Sequence, residues 1–311
     1  MMPDAVSREW LAVGDGHRLH LARYGNPNGK PVLWLHGGPG SGCLPSDISL
    51  WDLSVWQVIM LDQRGAGLST PSGCVCDNDF DTLLADIERV RGHLGVDRWY
   101  IAGGSFGATL GLLYAGQFPG RVVHALLWGV FIPSAAGVNW LYGEHGAALL
   151  FPDAYHRFSG KLQPRLSELL ASFGRDLHGN DAERRDAALR RWISWEAELS
   201  MPGNQLHWES TRRTLAMAAI QLHYAIHHYF DGLSRWQSML GNLAVRCDIL
   251  QGENDWVCPA TLLKRGLQPF PANLTLRVVP ASHHSLADPR MFAAVKMAIE
   301  QMAGAGRCDP L

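Results

Sequence analysis

Residues 98–116 read RWYIAGGSFGATLGLLYAG. The first part, RWYIAG, is an apolar run of strand length. The second, FGATLGLLYAGQF, carries helical periodicity. Ser105 therefore stands where a buried strand turns into a helix, with Gly103 and Gly107 two residues to either side. A strand-to-helix turn this tight crowds the backbone, so side chains at those two positions would clash. The spacing predicts a serine in strained backbone geometry, its hydroxyl projecting from the end of the sheet. By itself G-x-S-x-G is also met in ordinary Gly-rich turns, so a base, an acid and an oxyanion site have to be found elsewhere in the chain.

Outward from this stretch, strand-like runs alternate with helical ones. WLAVGDGHRLHLARYG (10–25) reads as a hairpin about Gly14-Asp15-Gly16. PVLWLH (31–36), WQVIMLD (56–62), RWYIAGG (98–104) and VVHALLWGV (122–130) read as buried strands, with helical stretches such as FDTLLADIERVRGHL (80–94) between them. This alternation predicts a mostly parallel sheet covered on both faces. From about Phe131 to Leu243 the pattern changes to helical segments, among them DAERRDAALRRWISWEAEL (181–199) and TLAMAAIQLHYAIHHYF (214–230). Strands resume at RCDILQGEND and LTLRVVPAS, and a helix follows in MFAAVKMAIEQM. The expected architecture is one α/β domain, residues 1–130 and 244–311, interrupted by a helical cap at 131–243.

With 311 residues, 27 basic and 29 acidic, the chain has an ordinary globular composition and a net charge of −2. That balance argues against nucleic acid or a membrane surface as partner. MMPDAVSREW at the start has no apolar signal region, which leads to the expectation of a cytoplasmic protein. The six cysteines include no C-x-x-C pair, so neither a zinc site nor a disulfide framework is expected. Of the 12 tryptophans, Trp140, Trp192, Trp195, Trp208 and Trp236 fall in the helical insertion, where they pack a small core or line an apolar pocket. Arg184-Arg185 and Arg190-Arg191 read as a solvated helix face, and Arg64 as a brace between loops.

A serine hydroxyl needs a base to take its proton, and that base needs an orienting acid. In open α/β sheets such groups gather at the carboxyl ends of strands. After CDILQGEN comes Asp255, with Glu253 as its near competitor; after LTLRVVPAS come His283 and His284, either of which is placed to be the base. The order Ser…Asp…His is thereby complete. An oxyanion site needs backbone N–H groups. The Phe106 N–H, directly after the serine, is one candidate, and Gly38, in the LHGGPG loop after the strand PVLWL, is the other.

HGGPG (36–40), DQRGAGLS (62–69), GGSFGATLGLLYA (103–115) and GENDWVCP (252–259) together resemble the proline iminopeptidase family, whose members are α/β-hydrolases with a helical cap. The resemblance implies Ser105 as nucleophile, Asp255 as acid and, because the family's base directly precedes a serine, His284 as base. It places the family's amine-binding glutamate, from its W-x-x-W-E motif, at Glu196 beside Trp192 and Trp195. The family's second amine-binding glutamate falls on Gln221 ahead of the pair His223-Tyr224; a shifted alignment puts His227 there. Either way the second carboxylate is missing. The implied activity is a serine aminopeptidase that releases an N-terminal residue, preferably proline, from small peptides or amides through an acyl-enzyme, without cofactor or metal. Gln221 favours a second reading, a carboxylesterase or amidase acting on a neutral acyl substrate. A scaffold that binds ligand without turnover is a third, disfavoured by the complete Ser, Asp and His set.

Overall fold

The computed structural model describes residues 3–160, 165–204, 209–241 and 243–304; Trp208 and Cys308 lie outside them. Eight strands form one sheet: β1 Ser7–Gly14, β2 His17–Gly25, β3 Lys30–Leu35, β4 Trp56–Leu61, β5 Trp99–Gly104, β6 Val122–Trp128, β7 Cys247–Gly252 and β8 Leu274–Val279. Their spatial order is β1-β2-β4-β3-β5-β6-β7-β8. The β1–β2 hairpin is antiparallel, as is the β2–β4 pairing, and every later pairing is parallel. The central strands are buried on both faces, which is why they read as unbroken apolar runs, whereas β1 at the edge alternates. This is the mostly parallel sheet that the strand–helix alternation predicts, in the α/β-hydrolase arrangement that the family resemblance implies.

The parallel register decides where chemistry collects. Leu35 pairs with Gly103, Gly103 with Leu127, and Leu127 with Ile249. The strands therefore end level, and the loops after β3, β5, β6, β7 and β8 emerge along one edge.

Helices α1 Phe80–His93 and α2 Phe106–Gln117 precede β6. Between β6 and β7 the described residues hold six helices: α3 Ala135–Tyr142, α4 Pro152–Ser159, α5 Leu166–Leu177, α6 Ala182–Ser200, α7 Arg212–Ile226 and α8 Gly232–Leu240. They contain no strand. Helices α9 Ala260–Gly266 and α10 Pro289–Gly304 complete the set. Three of the long helices begin where a short polar side chain satisfies free N–H groups: Asp79 for α1, Asp181 for α6 and Thr211 for α7. Leu33 and Leu35 of β3 join the core shared with α1, α2 and the helical segment, while Val32 and Trp34 face the opposite core under α10.

Two local expectations differ from what is found. The helical pattern of residues 214–230 predicts one helix to Phe230, but α7 stops at Ile226 and His228, Tyr229, Phe230 and Asp231 all have φ near +50°. That left-handed turn is strained for residues with a Cβ. It drives the buried Tyr229 ring against Phe131, with centroids 4.4 Å apart, a contact a continued helix would not make. Arg191, expected in solvent, donates from Nε and Nη2 to the Phe158 carbonyl at 2.9 and 2.6 Å and so ties α6 to α4.

The loop 62–69 is a clamp below the edge where these loops emerge. Asp62 accepts from Cys43 N at 2.7 Å and Leu68 N at 3.0 Å and pairs with His20 Nδ1 at 2.9 Å. Burial alone would raise its carboxyl, yet these bonds and the nearby His36 hold it below the usual range. Gln63 donates from its backbone to His36 Nε2 and from its side chain to the His36 carbonyl, at 3.1 and 2.9 Å. Arg64, 1% exposed, grips Asp86 of α1 with two bonds of 2.6 and 3.1 Å. Replacing Arg64 by Met leaves Asp86 a buried charge with only the longer, 3.4 Å contact to the half-exposed Arg89, at a cost of about 3–5 kcal/mol. Urea unfolding at pH 7 should show that loss, and Arg64→Met combined with Asp86→Leu should recover most of it; a loss below about 1 kcal/mol in the single variant contradicts the clamp.

Candidate active site

Ser105 sits at φ +56°, ψ −124°, immediately before the first turn of α2. The glycines around it explain how a non-glycine residue is held there. A Cβ on Gly107 would overlap the Leu35 carbonyl oxygen, and one on Gly103 would come within 2.8 Å of the Gly107 carbonyl. Gly104 has the Trp128 ring where its own Cβ would be, a third requirement that the spacing of the other two does not announce. Helix α2 thus presses onto the end of β3, and Ser105 is the residue left to make the bend.

The same close approach places the HGGPG loop. Gly37 lies against Ser105: a Cβ on it would be 3.1 Å from the serine Cβ. Gly38 follows at φ +111°, a conformation that excludes other residues, and lines the cavity above the serine. Phe106 opens α2, so its N–H has no partner within the helix. His36 anchors the loop from beneath. Its Nδ1 reaches the Gly37 carbonyl at 2.9 Å, its Nε2 accepts from Gln63 N, and burial lowers its pKa.

The two histidines of 281–286 part company. His283 Nδ1 pairs with Asp288 at 2.9 Å. His284 Nδ1 pairs with Asp255 Oδ2 at 2.8 Å, which fixes the proton on Nδ1 and leaves the Nε2 lone pair free. Glu253, the competing acid, instead accepts from Ala281 N at 2.7 Å. His284 and Ser105 line the same cavity, although among the described residues no hydrogen bond joins the serine oxygen to the imidazole. Asp255 is 1% exposed and its orientation is fully determined. Oδ1 accepts from Cys258 N at 2.7 Å, and Oδ2 accepts from Gln251 Nε2 at 2.9 Å as well as from His284. Gln251 is wholly buried at the end of β7; it also accepts from Val130 N at 3.1 Å and donates to the Cys258 carbonyl. Sequence reasoning passed over it, though a glutamine closing the apolar run CDIL was a visible signal.

The cavity over Ser105 has a volume of about 380 Å³. Phe131, Leu141, Ile193, Tyr229 and Val257 form its apolar wall on the side of the helical segment, and Glu196 and Gln221 set polar groups into that wall. Glu196 accepts from Tyr142 Oη and Gln221 Nε2, each at 2.6 Å. Gln221 Oε1 in turn accepts from Trp192 Nε1 at 2.8 Å. Because an indole can only donate, it fixes the amide with its NH₂ toward Glu196. Burial pushes the Glu196 carboxyl up to about 7, against the opposing pull of Tyr142, Gln221 and the His284 ring. No arginine, lysine or histidine pairs with it among the described residues.

Trp192 and Trp195 are not on the cavity wall, where the W-x-x-W-E resemblance would have them touch substrate. At 0% and 1% exposure they are packed behind it among Tyr142, Tyr155, Phe158 and Phe173. Trp192 reaches the site through Gln221, its hydrogen-bond partner, and Tyr142, its ring neighbour, and Trp195 Nε1 donates to the Leu141 carbonyl at 2.8 Å. The histidines of α7 are likewise occupied with backbone: His223 with the Asn78 carbonyl at 2.9 Å and His227 with the His223 carbonyl at 2.8 Å.

Comparison with known proteins gives the fold and the family. A sequence profile describing the α/β hydrolase fold matches residues 30–289. A proline iminopeptidase of Xanthomonas citri is 37% identical over 307 residues, covering 94% of this chain and 95% of its own. A probable proline iminopeptidase of Leptolyngbya boryana is 35% identical over 292 residues, covering 92% and 90%. Among solved structures, a proline iminopeptidase-related protein of Thermus thermophilus superposes with a TM-score of 0.62 at 21% identity, over 96% of this chain and 99% of that one, a likeness of fold. At the identity of the first two relatives, sustained over nearly the whole length of both chains, the protein belongs to the proline iminopeptidase family of α/β hydrolases.

Proposed function

We propose that this protein is a serine aminopeptidase that releases an N-terminal residue, preferably proline, from small peptides and amides. In this reading residues 131–243 form a cap domain over the catalytic edge. Ser105 attacks the carbonyl of the first residue while His284 takes its proton at Nε2, and Asp255 holds the imidazole in the tautomer that can do so. Backbone N–H groups of Phe106 and Gly38 receive the oxyanion. His284 then protonates the leaving amine, and water releases the acyl group by the same steps in reverse.

One observation carries the reading. Glu196 is a partly buried carboxylate on the cavity wall whose hydrogen-bond partners, among the described residues, are neutral donors. A buried charge without a counter-ion is costly unless a partner arrives. A substrate ammonium is such a partner, and the apolar wall beside it suits a compact ring. Gln221 supplies no second charge, and its oxygen is taken by Trp192. That favours, as the alternative, a carboxylesterase or amidase on neutral acyl groups, with Glu196 protonated. Among the described residues no helix is long and apolar enough to cross a membrane.

Ser105→Ala should abolish turnover of Pro-p-nitroanilide while leaving the unfolding curve intact; retained turnover would refute the assignment. Glu196→Gln should raise KM for Pro-p-nitroanilide at least about tenfold while changing KM for p-nitrophenyl acetate less than about threefold, since only the first presents a charge. Equal effects favour the neutral-acyl alternative. Amine binding needs the ionised carboxylate, so KM for the prolyl substrate should fall as pH rises through about 7. Stability runs the other way. The folded carboxyl holds its proton above the unfolded value of 4.5, so folding is progressively disfavoured as pH rises from there to about 7. Glu196→Gln should then melt higher than its parent at about pH 8, with the gap closing at about pH 4.5. Finally, Gln251→Met should lower kcat about 10- to 100-fold with little change in KM, because it frees Asp255 without touching the cavity; an unchanged kcat removes Gln251 from the positioning of the acid.

A further inference from the structure

The cavity has a second arm. The walls named above belong to the core on the side of the helical segment, but Trp34, Trp128 and Leu286, which also line it, belong to the opposite core under α10. Ser105 and His284 line the same cavity. Glu196 is the carboxylate of one arm, and Asp47, on the short turn of helix at Pro45–Leu50, lines the other. An acyl-transfer enzyme needs two such arms, one for the acyl residue and one for the group that leaves.

Asp47 is as short of a counter-ion as Glu196. Its one backbone partner is Leu44 N at 3.3 Å. Trp34 Nε1 lies against the carboxylate, buried and without a well-formed hydrogen bond. Arg213, whose charge pulls the carboxyl down, donates its hydrogen bonds to the carbonyls of Ser41 and Cys43 at 2.9–3.0 Å, is not part of the cavity wall and, among the described residues, makes no ion pair with Asp47. Burial pushes the Asp47 carboxyl up to about 6, so it carries its charge at pH 7. The Trp34 and Trp128 rings, packed 5.2 Å apart centroid to centroid, both line this arm and give it an aromatic wall. Leu44, half exposed at the mouth, extends this apolar surface.

We propose that Asp47, Trp34 and Trp128 form a leaving-group subsite that selects a cationic residue, arginine or lysine, directly after the cleaved bond and rejects an acidic one. The assignment rests on the reading that Glu196 receives the amine of the acyl residue, which leaves this arm to the departing group.

The test compares kcat/KM for the C-terminally amidated dipeptides Pro-Arg, Pro-Leu and Pro-Glu, in which the leaving group's own carboxylate is masked. The parent should favour Pro-Arg over Pro-Glu by about tenfold or more, with Pro-Leu between. Asp47→Asn, whose amide oxygen can keep the Leu44 contact, should bring that ratio to within about threefold, and Asp47→Glu should keep its direction. A parent ratio near one, or a preference for Pro-Glu, overturns the proposal whether or not any variant folds. So does an Asp47→Asn effect of equal size on all three peptides, since that would place the amine, rather than the leaving group, at Asp47. If none of the three is cleaved while p-nitrophenyl acetate is, the aminopeptidase reading has failed. The subsite is then read with acetate esters of phenols bearing an ammonium or a carboxylate group. The same preference for the cation, lost in Asp47→Asn, upholds the subsite, and its absence removes it.

Discussion

Gly107 has no room for a side chain, because the carbonyl oxygens of Leu35 and His36 occupy the space a Cβ would fill. That close approach of α2 to the end of β3 is the constraint on which the site depends. It leaves Ser105 to make the bend at positive φ, and it brings Gly37 against the serine. Ser105 and the HGGPG loop are thus positioned by one contact between two backbones. Strain of this kind persists only where surrounding structure overdetermines it. Here the clamp of Asp62, Gln63 and Arg64 does so, gripping the HGGPG loop through His36 and Cys43 and the first helix through Asp86.

The second organising feature is a pair of carboxylates without cations. A protein interior ordinarily neutralises such groups with a salt bridge or excludes them. Glu196 and Asp47, both on the cavity wall, are held instead by neutral donors, and both have carboxyls raised by burial. Tyr142, Gln221 and Trp192 form a chain of hydrogen bonds that fixes Glu196 without discharging it. Stability is given up in the empty protein, and a bound ammonium can recover it.

Much of this was legible in the sequence because it rests on local rules. Strand runs buried on both faces are continuously apolar, glycine marks backbone contacts, and functional groups follow strand ends. Those rules sufficed to find the strands, the bend at Ser105 and the loops bearing Asp255 and His284. What stayed hidden depends on contacts distant in sequence. Nothing local shows that Trp192 stands behind the cavity wall rather than on it, since both positions demand a buried aromatic on the same helix face. The end of α7 was obscured because IHHYF suits a helix by composition, and only the packing of Tyr229 on Phe131 breaks it. His283 and His284 are separable only once Asp288 and Asp255 are seen to claim one each. Asp47 reads as an ordinary loop carboxylate until the second arm of the cavity is in view.

The central claim is that the bend at Ser105 presents an acylated nucleophile to a two-armed cavity. Rapid-quench mass spectrometry of the protein turning over a prolyl ester tests it most directly. The account predicts a transient addition of one prolyl group, mapped after digestion to the peptide carrying Ser105. Steady turnover with no such adduct, or with the adduct on another residue, would contradict it.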